Sequence, residues 1–329
     1  MRAWLGIDVG SVSTDIALID ESNNLACGAY LMTKGQPIGA VQEGLETIVA
    51  SLPEGTTICG VGTTGSGRHL AAAIAGADAV KNEITAQAVA AMARVPGVRT
   101  VIEIGGQDSK IIILREGVVV DFAMNSVCAA GTGSFLDRQA SRLGIPIEEF
   151  GRVALTSSHP TRIAGRCAVF AESDMIHKQQ VGHAIEDIVW GLCQALVRNY
   201  LNNVGKGKDI KPPVVFQGGV AANAGMKRAF EDALGMEVMV PADHNLMGAI
   251  GAAILGREAC ASKKTQFKGF GVSRCTFVSG GFDCGGCANC CEITEVRSGD
   301  EVVARWGGRC GRWAVEDGGR IPRRANSVI

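Results

Sequence analysis

Ile7-Asp8-Val9-Gly10-Ser11-Val12-Ser13-Thr14-Asp15-Ile16-Ala17-Leu18 is echoed about a hundred residues later by Ile102-Glu103-Ile104-Gly105-Gly106-Gln107-Asp108-Ser109-Lys110-Ile111-Ile112-Ile113. Each copy is an apolar strand ending in an acid, a glycine turn edged by hydroxyl or amide groups, and a second apolar strand. Glycine lets the backbone turn tightly and approach a ligand closely. Backbone N–H groups in such turns, helped by hydroxyl and amide side chains, can hold phosphate oxygens. An acid at each strand end suits a Mg²⁺ ion held mostly through water. Two such hairpins facing each other would grip a nucleotide between related halves.

Composition narrows the alternatives. At 329 residues the chain is long enough for about two domains with sizeable cores. A formal net charge of −1 gives no global field towards nucleic acid or anionic membrane. Hydrophobic residues make up 47%, yet no apolar run reaches the roughly 20 residues that span a bilayer. The N-terminus enters a strand without the basic stretch and apolar core of a secretory signal, so cytoplasm is the expected compartment. Twelve cysteines therefore read as thiols or metal ligands rather than disulfides.

Along the chain, apolar patterning predicts strands at 3–9, 14–20 and 25–32, a helix near 38–51, a strand at 57–61 and another helix. An alanine-rich helix at 82–94 stops at Pro96-Gly97. The second copy predicts strands at 99–104, 110–115 and 118–124 and helices near 130–143 and 182–203. A buried strand at 214–217 ends in Gly218-Gly219, before a helix at 223–234, a strand at 237–240 and a small-residue helix at 246–258. Strands and helices alternating in two halves mean α/β layers around a central cleft. With phosphate at the hairpins, the turn Gly218-Gly219-Val220-Ala221-Ala222-Asn223 is the natural place for adenosine. Gly62-Thr63-Thr64-Gly65-Ser66-Gly67-Arg68-His69 has the glycine spacing of a P-loop, but Arg68 and His69 replace its lysine and hydroxyl residue. It reads as a glycine-rich turn lining the cleft.

The two hairpins and the late Gly-Gly turn resemble the superfamily of ATPases that holds acetate kinase, sugar kinases, heat-shock chaperones and actin. Four stretches resemble more closely the activator (archerase) family of 2-hydroxyacyl-CoA dehydratases and the related benzoyl-CoA reductase ATPase subunits. They are Gly6 to Asp15, Ile104 to Lys110, Asn125-Ser126-Val127-Cys128-Ala129-Ala130-Gly131-Thr132-Gly133-Ser134-Phe135-Leu136, and Gly165-Arg166-Cys167-Ala168-Val169-Phe170-Ala171-Glu172-Ser173-Asp174. The resemblance runs to about residue 258. It implies two actin-like, ribonuclease H-like lobes around a nucleotide cleft: lobe I at 1–82, completed by helix 245–260, and lobe II at 83–244. ATP or ADP with Mg²⁺ is the implied ligand. Gly10, Ser11, Ser13, Gly105, Gly106 and Gln107 would contact phosphates, and Lys110 would offset their charge. Asp8, Glu103 and Asp108 would orient Mg²⁺ waters or the attacking water, and Gly218, Gly219, Val220 and Asn223 would flank the adenosine. Glu103 stands where aspartate is commoner in these ATPases.

Cys128 and Cys167 each precede small residues that let backbone N–H groups approach sulfur, and a helix N-terminus favours an anionic thiolate cluster. Two thiolates do not complete a four-cysteine site, whereas a two-fold dimer presents the same patch twice. Buried structural cysteines are the other reading of the residues alone. The resemblance implies one four-iron, four-sulfur cluster on the axis of a homodimer, bound by Cys128 and Cys167 of both subunits. Residues 261–329 form a cysteine-rich extension carrying Cys275, Cys284, Cys287, Cys290, Cys291 and Cys310. Its closely spaced pairs read as Zn²⁺ ligands, as a second cluster, or as free thiols.

The resemblance thus implies an ATP-driven one-electron reductase, an activator supplied by ferredoxin or flavodoxin. Its acceptor would be an iron–sulfur enzyme, either a 2-hydroxyacyl-CoA dehydratase or a double-cubane cluster protein. A small-molecule kinase of the same fold would not require paired Cys128 and Cys167. A non-redox ATPase assembly module with a zinc tail is the third reading.

Overall fold

The computed structural model describes residues 1–313. A five-stranded sheet is ordered β3-β2-β1-β4-β5, from β1 (Arg2–Val9), β2 (Ser13–Ile19), β3 (Leu25–Met32), β4 (Thr57–Thr64) and β5 (Ala79–Val80). A second is ordered β10-β9-β6-β7-β8, from β6 (Thr100–Ile104), β7 (Ser109–Arg115), β8 (Val118–Asn125), β9 (Val214–Gln217) and β10 (Val238–Met239). The repeat read from sequence extends to pairing. β1 is antiparallel to β2 and parallel to β4, as β6 is antiparallel to β7 and parallel to β9.

Alternation of side chains along each strand sorts the core into layers. Ala3, Leu5, Ile7 and Val9 face the helices α1 (Pro37–Ala50) and α2 (Arg68–Ala75). Ile102, Ile104, Ile111 and Ile113 face a cap of α4 (Gly133–Leu143), α5 (Ile147–Leu155), α6 (Ala168–Gln180), α7 (Ile185–Asn203) and α8 (Ala224–Leu234). Between the sheets lie α3 (Glu83–Arg94) and α9 (Met247–Ala259), buried against Trp4, Ala17 and Ile19 on one side and Val101, Ile112 and Leu114 on the other. Residues 83–94 therefore pack in a layer shared by both sheets. The small residues of α9 let it lie almost on the backbone of β1 and β4, and Gly62 in β4 makes the room. A Cβ there would come within 2.6 Å of the Ala252 carbonyl carbon.

Three differences from the sequence reading have local causes. β4 runs on through Gly62-Thr63-Thr64, because pairing with β1 continues to Asp8 opposite Thr64. That part of the P-loop-like segment is strand, and Gly65-Ser66-Gly67 makes the turn. α5 was not anticipated, and apolar patterning did not mark α6. α6 buries only Ala171 and Met175, so it carries little apolar periodicity. The extension also contains an antiparallel sheet, β11 (Val278–Asp283), β12 (Glu292–Ser298) and β13 (Glu301–Trp306). It docks on the first lobe: Val272 and Val296 join the α1–α2 core, Gln42 of α1 donates to the Cys275 carbonyl at 2.7 Å, and Trp306 stacks on His69 of α2. The part of the extension at 314–329 lies outside the described residues. Among the described residues no helix is long and apolar enough to cross a membrane.

Gly62→Ala should push α9 off the sheet and lower stability by about 1–3 kcal/mol, the usual cost of overpacking. Denaturant unfolding of the variant at an unchanged m-value checks this; wild-type stability would mean the α9 contact is slack.

Candidate nucleotide site

The two hairpin turns close in the same way. The Gly10 N–H donates to the Ser13 carbonyl at 2.8 Å, and the Gly105 N–H to the Asp108 carbonyl at 3.0 Å. They meet tip to tip, since a Cβ on Gly106 would lie 2.7 Å from the Val12 side chain. The polar cleft of about 140 Å³ between them is lined by Asp8, Gly10, Ser11, Ser13, Gly105, Gly106, Gln107, Asp108, Lys110, Gly218 and Gly219, among others. Every cleft residue expected from the two hairpins is thus brought together. Ser66, from the glycine-rich turn expected to line the cleft, and Asp15 of the first hairpin also line it, together with Glu83, Gln87 and His244, which were not anticipated. Glu83 and Gln87 stand one turn apart on an alanine-rich helix, and that isolated polar pair was the available signal.

Charge dominates the cleft. Lys110 is buried, and its Nζ lies 2.9 Å from Glu103, 2.8 Å from Asp108 and 2.8 Å from Glu83. Burial works against its charge, but the three carboxylates outweigh that and hold its pKa above the ordinary lysine value. Its ammonium is thus shared by protein carboxylates rather than free at the cleft. Burial pushes the Glu103 carboxyl up to about 7. Asp8 is also pushed up to about 7, by desolvation first and then by repulsion from Glu83. Asp15, opposite Asp8 on the paired strand, is raised by burial and by Asp8, and its Oδ1 is buried without a hydrogen-bond partner. Five carboxylates around one ammonium, with a carboxylate oxygen unsatisfied, fit a hard cation such as Mg²⁺ held largely through water. Among the described residues no three His, Cys, Asp or Glu side chains are already gathered as ligands for one ion.

Opening from the cleft, and sharing Val12, Tyr30, Gly105, Gly106 and Gly219 with it, is a larger and mainly apolar recess of about 690 Å³. Val220, Asn223, Leu136, Ile147 and Leu155 line it. Asn223 caps α8 by accepting from the Met226 N–H at 3.1 Å, which leaves its buried amide nitrogen unpartnered at the recess. An apolar recess with a few fixed polar groups beside a phosphate-sized polar cleft has the division of labour a nucleotide needs.

The cysteines fall into separate places. Cys128 caps a short 3₁₀ turn (Ala129–Gly131) and Cys167 caps α6, neither with a side-chain capping bond. Cys128 Sγ lies 4.0 Å from the Arg166 carbonyl, so the two cysteine segments meet. Asn199 donates to the Gly165 carbonyl at 2.7 Å and reaches Cys128 Sγ at 3.8 Å. Around them Val127, Val169 and Phe170 are 96%, 67% and 68% exposed, an apolar surface among the described residues. In the extension, Cys284, Cys287, Cys290, Cys291 and Cys310 lie at one end of the small sheet. Cys275 precedes β11 and lies at its other end, beside α1.

The raised Glu103 carboxyl has a consequence for stability. It binds a proton more tightly folded than unfolded, so this group favours the folded state most below pH about 4.5 and loses that advantage as pH rises through about 7. In nucleotide-free, metal-free buffer Tm should fall by a few degrees across that window, and the fall should shrink in Glu103→Gln. An unchanged slope in the variant would remove Glu103 as its source.

Comparison with known proteins accords with this geometry. Residues 5–256 match the BadF/BadG/BcrA/BcrD ATPase family. The chain is 32% identical over 260 residues to the (R)-2-hydroxyglutaryl-CoA dehydratase activating ATPase of Acidaminococcus fermentans, covering 78% of this chain and 98% of that protein. It is 33% identical over 262 residues to the activator of lactoyl-CoA dehydratase of Anaerotignum propionicum, covering 79% and 99%. The solved activator of 2-hydroxyisocaproyl-CoA dehydratase from Clostridium difficile, with bound ADPNP, superposes with a TM-score of 0.70 at 31% identity over 79% of this chain and 96% of that one. Paired glycine-turn hairpins on two actin-like lobes, matched over their whole length by these activators, make the chain a member of the BadF/BadG/BcrA/BcrD ATPase family.

Proposed function

We propose that this ATPase is a one-electron reductase component. As a homodimer it would hold a four-iron, four-sulfur cluster through Cys128 and Cys167 of each subunit, and ATP hydrolysis would drive a low-potential electron to an iron–sulfur partner. Such a cluster supplies a one-electron carrier whose potential responds to hydrogen bonding and exposure. The observation that carries the reading is a short path from nucleotide to cysteine. The Gly105 and Gly106 carbonyls accept from the Gly133 and Ser134 N–H groups, both at 2.9 Å, and Ser134 Oγ donates to Gly106 at 2.6 Å. The phosphate turn is therefore bonded to the first residues of α4, five residues beyond Cys128. Asn125 accepts from the Cys128 N–H and donates to its carbonyl, both at 2.9 Å, and a turn that shifts with the γ-phosphate would carry Cys128 and its Asn125 and Asn199 contacts with it.

The chemistry around the thiols supports the reading. Both cysteines stand at N-terminal turns whose N–H groups favour negative sulfur. The exposed Val127, Val169 and Phe170 supply the apolar rim that a two-fold association would bury. The acceptor would be a 2-hydroxyacyl-CoA dehydratase, by analogy with the activators it resembles, or a double-cubane cluster protein. Ferredoxin or flavodoxin would supply the electron, in the cytoplasm.

Anoxic purification with iron and sulfide assay tests this. The wild type should hold about two irons per chain, half of a shared cluster. Cys128→Ser with Cys167→Ser should lose both iron and ATP-dependent reduction of the partner while still binding ATP. Wild-type iron content and partner reduction both kept by the double variant, or a colourless wild type, would sink the proposal. Ser134→Ala removes one hydrogen bond, worth about 1 kcal/mol. It should keep the iron but weaken the spectral change between ADP and ATP; an undiminished response would exclude this path.

A further inference from the structure

The geometry points to a second, structural metal centre in the extension: a single zinc ion bound by Cys284, Cys287, Cys291 and Cys310, with Cys290 left out. It stands independently of the electron-transfer reading. The ladder between β11 and β12 runs to Asp283 opposite Glu292, and one step further the Cys284 N–H donates to the Cys291 carbonyl at 2.8 Å. Cys284 and Cys291 are thus cross-strand partners, and such partners project to one face with Cβ atoms about 5 Å apart. Cys287 lies in the loop they close. Cys310 arrives from the neighbouring strand: β13 pairs Trp306 with Thr294, and the chain beyond passes along Glu292 and Ile293, where Gly307 packs on the Glu292 backbone. Two adjacent loops thereby carry four cysteines to one end of the sheet, where their thiols are not already gathered around one point.

Cys290 differs from them. It takes a left-handed conformation at φ 42°, its N–H closes a tight turn on the Cys287 carbonyl at 3.2 Å, and its exposed thiol lies by the same carbonyl at 3.8 Å. That turn conformation sets Cys290 apart from the extended Cys284–Cys291 pair, and its thiol lies on the turn's own carbonyl. Cys284 is 6% exposed and receives the Trp313 indole N–H at 3.1 Å on sulfur, a donor that suits a thiolate. Cys287 and Cys310 are exposed, so no packing opposes their turning inward.

Two considerations fit a single ion. With Zn–S near 2.3 Å, tetrahedral sulfurs lie about 3.8 Å apart, within reach of thiols on cross-strand Cβ atoms about 5 Å apart. The sheet also has a reason to need metal. Its buried apolar side chains are Ile293, Val296 and Val302, and Val296 already belongs to the core of the first lobe. A sheet with so small a core of its own is the kind that bound metal would stabilise.

The full chain, purified anoxically from medium containing both metals and dialysed, should retain about one zinc per chain. Cys128→Ser with Cys167→Ser should leave that zinc in place. Cys291→Ser should lower zinc affinity at least tenfold in a chromophoric-chelator titration, while Cys290→Ser leaves it unchanged. Cobalt added to metal-stripped intact protein should give tetrahedral thiolate absorption, a readout that needs no variant to fold. Absence of zinc, iron and sulfide in its place in the Cys128/Cys167 variant, or equal losses from Cys290→Ser and Cys291→Ser would overturn the assignment. Iron in the wild type bears on the reductase reading alone.

Discussion

Glu83, Glu103 and Asp108 reach the Lys110 ammonium from three parts of the fold: the start of α3, the end of β6 and the second phosphate turn. Since α3 lies between the sheets, this buried cluster ties the second hairpin to the central layer. Lys110 is also the one lysine or arginine lining the cleft among the described residues. Removing it would leave carboxylates facing one another in a poorly solvated space, where an unpaired buried charge costs about 3–5 kcal/mol. With it in place the cleft still holds more negative than positive charge. A divalent cation arriving with a polyphosphate meets that excess, and the raised Asp8, Asp15 and Glu103 carboxyls reflect the same repulsion and burial.

The pseudo-symmetry of the lobes is kept in backbone and broken in charge. Asp8 faces Asp15 across β1–β2, while Glu103 faces Lys110 at the corresponding step of β6–β7. The second hairpin is therefore internally neutralised and pinned, and the first retains two acids with an unsatisfied oxygen between the lobes. Val12 of the first hairpin lies against Gly106. Under the proposed function, movement passed across that contact would reach α4 through the bonds from Gly133 and Ser134. A ligand shifts such an arrangement only by interacting differently with its two positions, and under the proposed function a γ-phosphate that contacted both turns would meet that condition.

Much of this was legible in the sequence because the signals were local and periodic. Both hairpins, their acids and the late Gly-Gly turn announce themselves within a dozen residues each, and the strands flanking them are fully buried runs. What escaped depended on tertiary contact. Glu83 matters because α3 is threaded between sheets, which its alanine pattern does not disclose. α6 leaves Val169 and Phe170 bare and so lacks an apolar stripe. Cys275 belongs with its neighbours by spacing, but β11 stands between it and them. The distinction between Cys290 and Cys291 follows from a turn conformation and a strand pairing, invisible until the partner strand is known.

Where the extension attaches also constrains what the molecule can do. Its sheet leans on the first lobe, with Trp306 on His69 at the start of α2, next to the Gly65–Gly67 turn whose Gly67 N–H and Ser66 hydroxyl both donate to the Val9 carbonyl. The cysteine pair of the second lobe emerges elsewhere, and Val127 stays 96% exposed with the described extension in place. The added sheet therefore leaves the apolar rim of Cys128 and Cys167 uncovered. It borders instead the strand end from which Asp8 enters the cleft. An appendage in that position can stiffen the lobe that carries the unneutralised hairpin without competing for the surface where a second subunit would sit.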